Sequence, residues 1–203
     1  MEQQAVPLSG LLTLVLTSAA LMGSPGPSTI STTAVGAAFG LRRAIGYVLG
    51  LILGTCAVLL AVAGGLFALL LSVPGLAPVL TVASAAYMVF LAVRIARAPP
   101  LAPGKPAAVA PSLAGGLLLA VANPKAFLAI AAVFAGSPLE GLSPAAAFLK
   151  VAVLAAMIIL IHLGWLLAGA ALSRVLRDPV ASRVVNVVLA GSLVLASTIA
   201  VLA

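Results

Sequence analysis

Long apolar runs separated by short clusters of Gly, Pro and basic residues make up nearly the whole chain. The runs are apolar around their full circumference and do not alternate. This predicts helices in lipid and argues against the strands of a membrane barrel. Six spans follow from the pattern, at about Leu8–Phe39, Ala44–Leu71, Ala77–Ile95, Leu113–Ala135, Ala145–Leu172 and Val184–Leu202. A straight crossing takes about 20 residues. The first run is too long for that and holds Pro25-Gly26-Pro27 near its middle; the fourth holds Asn123-Pro124-Lys125. The expected fold is all-α: a polytopic membrane protein of six transmembrane helices, with helices 1 and 4 broken. One transmembrane domain fills residues 1–203. Its first half is about 1–97, a linker rich in proline (Pro99, Pro100, Pro103, Pro106, Pro111) about 98–112, and its second half about 113–203.

Composition removes the soluble alternative. Only 6% of residues are charged against 64% hydrophobic, and the mean hydropathy is +1.35. Ten basic and three acidic side chains cannot clothe a soluble domain of 203 residues. The net charge of +7 does not mark a nucleic-acid surface, because the charges fall in the gaps between spans. There they set orientation instead. Arg42 and Arg43, then Arg94, Arg97 and Lys105, then Arg174, Arg177 and Arg183 occupy three loops on one side, and Lys150 alone falls to the other. The positive-inside rule places the three loops in the cytoplasm and both termini outside. The segment Leu8–Met22 is read as a span and not a cleaved leader, because Glu2 and no basic residue precedes it. Cys56 is the single cysteine, which excludes paired-cysteine redox or metal chemistry.

The two breaks are the informative feature. Pro124 follows Pro25 by 99 residues, close to half the chain. A half of three spans re-enters the membrane inverted, so a 3+3 inverted repeat is expected, the layout in which discontinuous helices build a midplane site. Ser24 and Asn123 are favoured N-cap residues and each precedes a proline, which suits the first helical position. A half-helix starting at each break presents amides and a positive dipole end to an anion such as a carboxylate. Gly26 permits close approach to the backbone. Ser24, Pro25, Gly26, Pro27, Ser28, Asn123, Pro124 and Lys125 are therefore the candidate binding residues. The competing reading is that the prolines merely kink packed helices.

Other polar residues in the spans have two readings each. Ser28, Thr29, Ser31, Thr32 and Thr33 either line a polar path or bond back to helix carbonyls. Lys125, near the centre of span four, costs about 2.5–3.5 kcal/mol on insertion scales. It is either a counter-ion for a carboxylate or a stem snorkelling to an interface. His162, the only histidine, is a proton-coupling candidate or a histidine bonded to a carbonyl. Trp165 and Tyr87 are expected to pack or to sit near an interface, and Asn186 to hydrogen-bond between helices. Gly46, Gly50 and Gly54 form a close-packing stripe, within the chain or between subunits of a homo-oligomer.

The residues resemble the lysine-exporter (LysE-type) translocators. Gly23-Ser24-Pro25-Gly26-Pro27 with Gly40-Leu41-Arg42-Arg43-Ala44-Ile45-Gly46 and Gly50 is similar to the family's opening signature. Asn123-Pro124-Lys125 is similar to its second, and Ala86-Tyr87 also fits. The resemblance implies export of amino acids or related metabolites from a bacterial cytoplasm, driven by an ion gradient. It also implies that Pro25, Gly26, Pro27, Asn123, Pro124 and Lys125 belong to the transport core. Members that export basic amino acids tend to carry an acid in span two, where this chain reads Gly54-Thr55-Cys56; no Asp or Glu lies in any span. A neutral or acidic substrate is expected, because a buried cationic side chain without a carboxylate partner binds poorly. The expected partners are thus a small amino acid or similar carboxylate, a coupling proton and the bilayer, with no cofactor, no resident metal and no enzymatic role. A metal-ion or other small-solute exporter of the same architecture, or a non-transporting scaffold, is the alternative.

Overall fold

The computed structural model describes residues 7–65, 72–73, 75–98, 109–137, 143–172 and 178–202. Within them the chain forms eight helices: α1 (Leu8–Gly23), α2 (Pro27–Phe39), α3 (Leu41–Ala63), α4 (Leu76–Ala96), α5 (Leu113–Ala122), α6 (Pro124–Ala135), α7 (Pro144–Leu172) and α8 (Pro179–Leu202). Three of them, α3, α4 and α7, are long and apolar enough to cross a bilayer unaided. The pairs α1–α2 and α5–α6 each make one broken span, bent by 68° and 61°. The sixth expected span falls on α8, whose apolar stretch Val180–Ala196 is shorter than the about 20 residues of a full crossing. The end expected for span two, residues 66–71, and most of the proline-rich linker lie outside the described residues, as do Lys105, Arg174 and Arg177.

Large apolar side chains divide between interior and lipid. Leu14, Leu51, Leu119, Ile130, Leu154 and Ile158 are buried between helices. Leu8, Leu16, Leu53, Leu118, Leu160 and Val188 point outward and are more than half exposed, as a hydrocarbon solvent allows.

Contacts between the halves come in matching pairs. α3 packs on α5 and its counterpart α7 on α1; α2 packs on α7 and α6 on α3; α2 packs on α8 and α6 on α4. α1 also packs on α6 and α2 on α5, and α3–α7 and α4–α8 join each helix to its own counterpart; the contact of α4 with α5 has no equal between α8 and α1.

Glycine permits two close approaches among these. A Cβ on Gly50 or Gly54 would drive into the α5 backbone at Leu113 or Leu117, and one on Gly116 into Tyr47 and Leu51 of α3. On the other side, Gly36 faces Leu166 and Gly169 faces the Thr33 carbonyl. Backbone-to-backbone packing of this kind holds membrane helices where no hydrophobic force does. Gly46 differs from its stripe, facing open space.

Two polar side chains tie helix ends. Asn186, expected to bond between helices, donates instead to the Ala98 carbonyl (3.3 Å), two residues past the end of α4. Lys150, assigned by sequence to the loop side poor in basic residues, instead lies buried in the second turn of α7. Its ammonium donates to the Phe134 carbonyl at 3.2 Å and sits 3.6 Å from the Phe134 ring centroid. A cation at the carbonyl end of α6 complements the helix dipole there.

Candidate functional site at the two helix breaks

At the second break the backbone turns at one residue. Asn123 is extended (φ −82°, ψ 105°) and Pro124 opens α6, needing no amide partner. The Asn123 Oδ1 accepts from the Lys125 amide at 3.1 Å, and the Asn123 carbonyl accepts from the Ala126 amide. The expected N-cap is therefore present, but it already occupies the first amides of α6. What this break turns inward is side-chain chemistry: the Asn123 Nδ2 and the Lys125 ammonium.

The first break is built differently. Ser24 is not an N-cap; it ends α1, and its hydroxyl donates back to the Leu21 carbonyl at 2.8 Å. α2 begins at Pro27 with Gly26 as N-cap, whose amide donates to the Thr29 hydroxyl at 2.9 Å. The reason is the second proline. Pro25 and Pro27 both lack an N–H, and Pro27 biases Gly26 to the extended backbone it adopts (φ −174°). The helix therefore starts two residues later than Ser24-Pro25 alone predicts. Pro25 is exposed, while Gly26, Pro27 and Ser28 are buried.

The two breaks are joined directly. The Lys125 ammonium donates at 2.8 Å to each of three oxygens: the Ser24 carbonyl, the Ser24 hydroxyl and the Pro25 carbonyl. An ammonium has three hydrogens, so its donor capacity is filled. The Asn123 Nδ2 donates to the Ser28 hydroxyl at 2.9 Å. Lys125 therefore does not snorkel to an interface; it is a clasp across the breaks. Gly26 makes room for it. A Cβ there would lie 2.6 Å from the Lys125 Cδ and 2.7 Å from its Nζ.

A small cavity of about 40 Å³ lies beside the clasp, lined by Ser24, Gly26, Ser28, Thr29, Thr55, Asn123, Lys125, His162 and apolar residues of α1, α6 and α7. That volume holds about two or three waters. A groove of about 760 Å³, mainly apolar, lies along Pro25, Pro27, Ile30, Pro124, Leu128 and Leu195 and also borders Gly26 and Lys125. The clasp thus borders both spaces.

The remaining hydroxyls separate by role. Ser31 and Thr32 bond back to the Ser28 carbonyl at 2.9 and 2.8 Å, and Thr33 to the Thr29 carbonyl at 3.1 Å. Ser28 and Thr29 reach the cavity.

The Nδ1 of His162 lies 2.8 Å from the Ile158 carbonyl. A carbonyl only accepts, so Nδ1 carries the proton of the neutral ring and Nε2 presents a lone pair. That Nε2 and the Thr55 hydroxyl are buried and have no protein partner.

Trp165 was expected to pack or sit near an interface. Its indole N–H instead donates to the Gly23 carbonyl at 3.1 Å, and its own carbonyl accepts from Thr33 at 3.3 Å. Trp165 and Thr55 are the participants that sequence spacing did not single out as site residues, because their relation to the breaks is set by helix packing alone. Among the described residues no three His, Cys, Asp or Glu side chains gather as a metal site would require.

A family model described as LysE type translocator matches residues 19–202. Neither the curated proteins nor the solved structures give a match. The matched region takes in both breaks and every helix from the end of α1 onward, and the chain belongs to the LysE-type translocators, a family of membrane exporters of amino acids and related solutes.

Proposed function

We propose that this protein exports a neutral or acidic amino acid, or a similarly small carboxylate, across the bacterial inner membrane in exchange for protons, using the space between the two breaks. The carrying observation is the clasp of Lys125 on Ser24 and Pro25. A substrate carboxylate is a stronger acceptor for an ammonium than a carbonyl or a hydroxyl, since both partners are charged. It takes Lys125 hydrogens from Ser24 and Pro25, and in doing so frees the segment that links α1 to α2. Binding and opening then become one event, as alternating access requires. Asn123 and Ser28 stay paired and hold the site's floor, with Pro124 and Pro27 starting the half-helices beside it.

Charge sets the preference. The cavity is lined by one lysine and no carboxylate, so a cationic substrate side chain would be desolvated without a partner. A divalent cation meets one imidazole and several hydroxyls, a poor donor set. His162 supplies the proton site: imidazole is the side chain whose intrinsic protonation lies nearest neutrality, and the residue lines the cavity. The matching contacts between halves support an inverted repeat of three spans about 1–97 and 113–203, and the basic loops support both termini lying outside the cell.

The test is efflux from proteoliposomes loaded with labelled amino acids (neutral, acidic and basic), with and without a pH gradient. Efflux of neutral or acidic compounds, accelerated by the gradient, is expected. The His162→Gln variant should lose the acceleration and keep gradient-independent flux. Absence of amino-acid flux in both conditions, or a clear preference for lysine and arginine, defeats the proposal.

A further inference from the structure

The half-helices of the broken spans are held unequally. α2 buries eleven of its thirteen residues, whereas α1 buries three of sixteen: Gly10, Leu14 and Ser18, a single stripe about one turn apart. The hydroxyls of Thr13, Thr17 and Ser18 bond back to carbonyls of α1 itself. Among the described residues, hydrogen bonds from α1 to other helices occur at its C-terminal end. There the Gly23 carbonyl accepts from Trp165, and the two Ser24 oxygens from Lys125. The counterpart of α1 is fixed. α5 follows the Val109 carbonyl that Arg94 holds, and so lies in the basic half of the bundle. Its backbone at Leu113 and Leu117 lies too close to Gly50 and Gly54 to admit a Cβ, and Gly116 meets Tyr47 and Leu51 in the same way. α1 occupies the opposite half and meets α7 loosely: a Cβ on Gly23 would stand 3.8 Å from Ile161, in ordinary contact. Leu21 and Met22 of α1, with Ile158 and Ile161 of α7, line the cavity beside the clasp. Its volume of about 40 Å³ admits about two or three waters and no amino acid.

We infer that α1 is a gate that swings about Ser24–Pro27 away from α7, latched by Lys125 and Trp165, while α3 and α5 stay together as one body. The inference rests on passage through the cavity at the breaks, not on which solute passes. For a solute to enter, one wall of the cavity has to leave. The wall that leaves most easily buries few contacts, and its outer face already meets the solvent it moves into. α1 meets both conditions, since Leu8, Leu12, Leu16 and Leu21 already face outward. Its hinge is already free of helix, because Pro25 and Pro27 carry no amide and Gly26 is extended. The swing therefore breaks no helical hydrogen bond. What it breaks is the latch, four bonds that fall on the consecutive residues Gly23, Ser24 and Pro25. The opposite seam has no such freedom, because parting α5 from α3 gives up backbone-to-backbone packing along two turns. With the basic loops in the cytoplasm, α1 lies in the outer half of the membrane. The structure is then the state shut at both ends, with the outer end the one ready to open.

The test uses the full chain in proteoliposomes, in a Cys56→Ala background. Spin labels on Leu12→Cys and Phe148→Cys report on α1 against α7, and labels on Leu53→Cys and Leu118→Cys on α3 against α5. All four positions are more than half exposed. Distances are read by pulsed electron double resonance. Adding Lys125→Met should lengthen the mean α1–α7 distance by about 5 Å or more, about one helical turn, and leave the α3–α5 distance unchanged. Trp165→Phe, the milder change, should shift part of the population in the same direction. An α1–α7 distance unmoved in both variants overturns the inference, and so does equal movement of the two pairs. A second arm ties the gate shut. A disulfide between Gly23→Cys and Ile161→Cys should lower amino-acid efflux about 10-fold, with recovery on reduction. Full efflux with that bond formed also overturns the gate. Absence of amino-acid flux in the untied protein ends the proposed substrate, while the label distances still decide whether α1 moves.

Discussion

The two breaks bend their spans by nearly the same angle, 68° and 61°, yet they are chemical opposites. The first contains two prolines and spends three residues outside helix, which leaves the carbonyls of Gly23, Ser24 and Pro25 without helical partners. All three accept from elsewhere: Gly23 from Trp165, the other two from Lys125. The second break uses one residue, caps itself through Asn123, and projects an amide and an ammonium. One break is a surplus of acceptors and the other a surplus of donors. In a bilayer, where water does not repair a broken helix, the two interruptions repair each other.

The sharpest way to break that comparison is to remove the donor. Lys125→Met keeps the stem and abolishes the charge, and flux should fall about 100-fold, since each hydrogen bond to a charged group is worth about 1.5–3 kcal/mol. Flux within about threefold of wild type would mean that the clasp is structural decoration. Next comes the gap that admits the lysine. Gly26→Ala places a methyl against Cδ and Nζ of Lys125 and pushes the ammonium off its acceptors, with an expected loss of about 10-fold in flux from weakened charge-assisted hydrogen bonds. Gly46→Ala, at an open position, is the matched control and should transport normally. Equal behaviour of the two alanines contradicts the packing argument.

Smaller effects probe the second bond of the junction. Asn123→Ala loses both a helix cap and the bond to Ser28, and thermal unfolding in detergent should show a loss of about 2 kcal/mol. Ser28→Ala should cost about 1 kcal/mol, and the double variant should recover part of the sum, because the residues share one hydrogen bond. Strict additivity would show that the bond carries no energy. Smallest is Trp165→Phe, which frees the Gly23 carbonyl and should lower stability by about 1 kcal/mol with little change in selectivity. A loss of selectivity as large as that of Lys125→Met would place Trp165 in the site itself.

How far the sequence reached differs between these breaks for a physical reason. Asn-Pro is a local signal, since cap and first helical residue are adjacent, and the start of α6 follows directly. Ser-Pro-Gly-Pro holds two possible starts, and only the second proline's hold on Gly26 decides between them. The role of Lys125 was legible only as a dilemma between counter-ion and snorkel. Its actual partners lie about 100 residues away along the chain, beyond any spacing rule.

By itself the sequence determined that lipid surrounds the chain, that two of its spans are interrupted and where, and that no internal acid balances the central lysine. These are properties of composition and local backbone chemistry, and hydrocarbon enforces them span by span. Which break donates and which accepts, which hydroxyls face the cavity, that Thr55 and His162 line it, and that Trp165 holds the Gly23 carbonyl were decided only by tertiary packing. Glycine contacts between α3 and α5 and between α2 and α7 fix how close the helices come, and those distances determine which side chains meet.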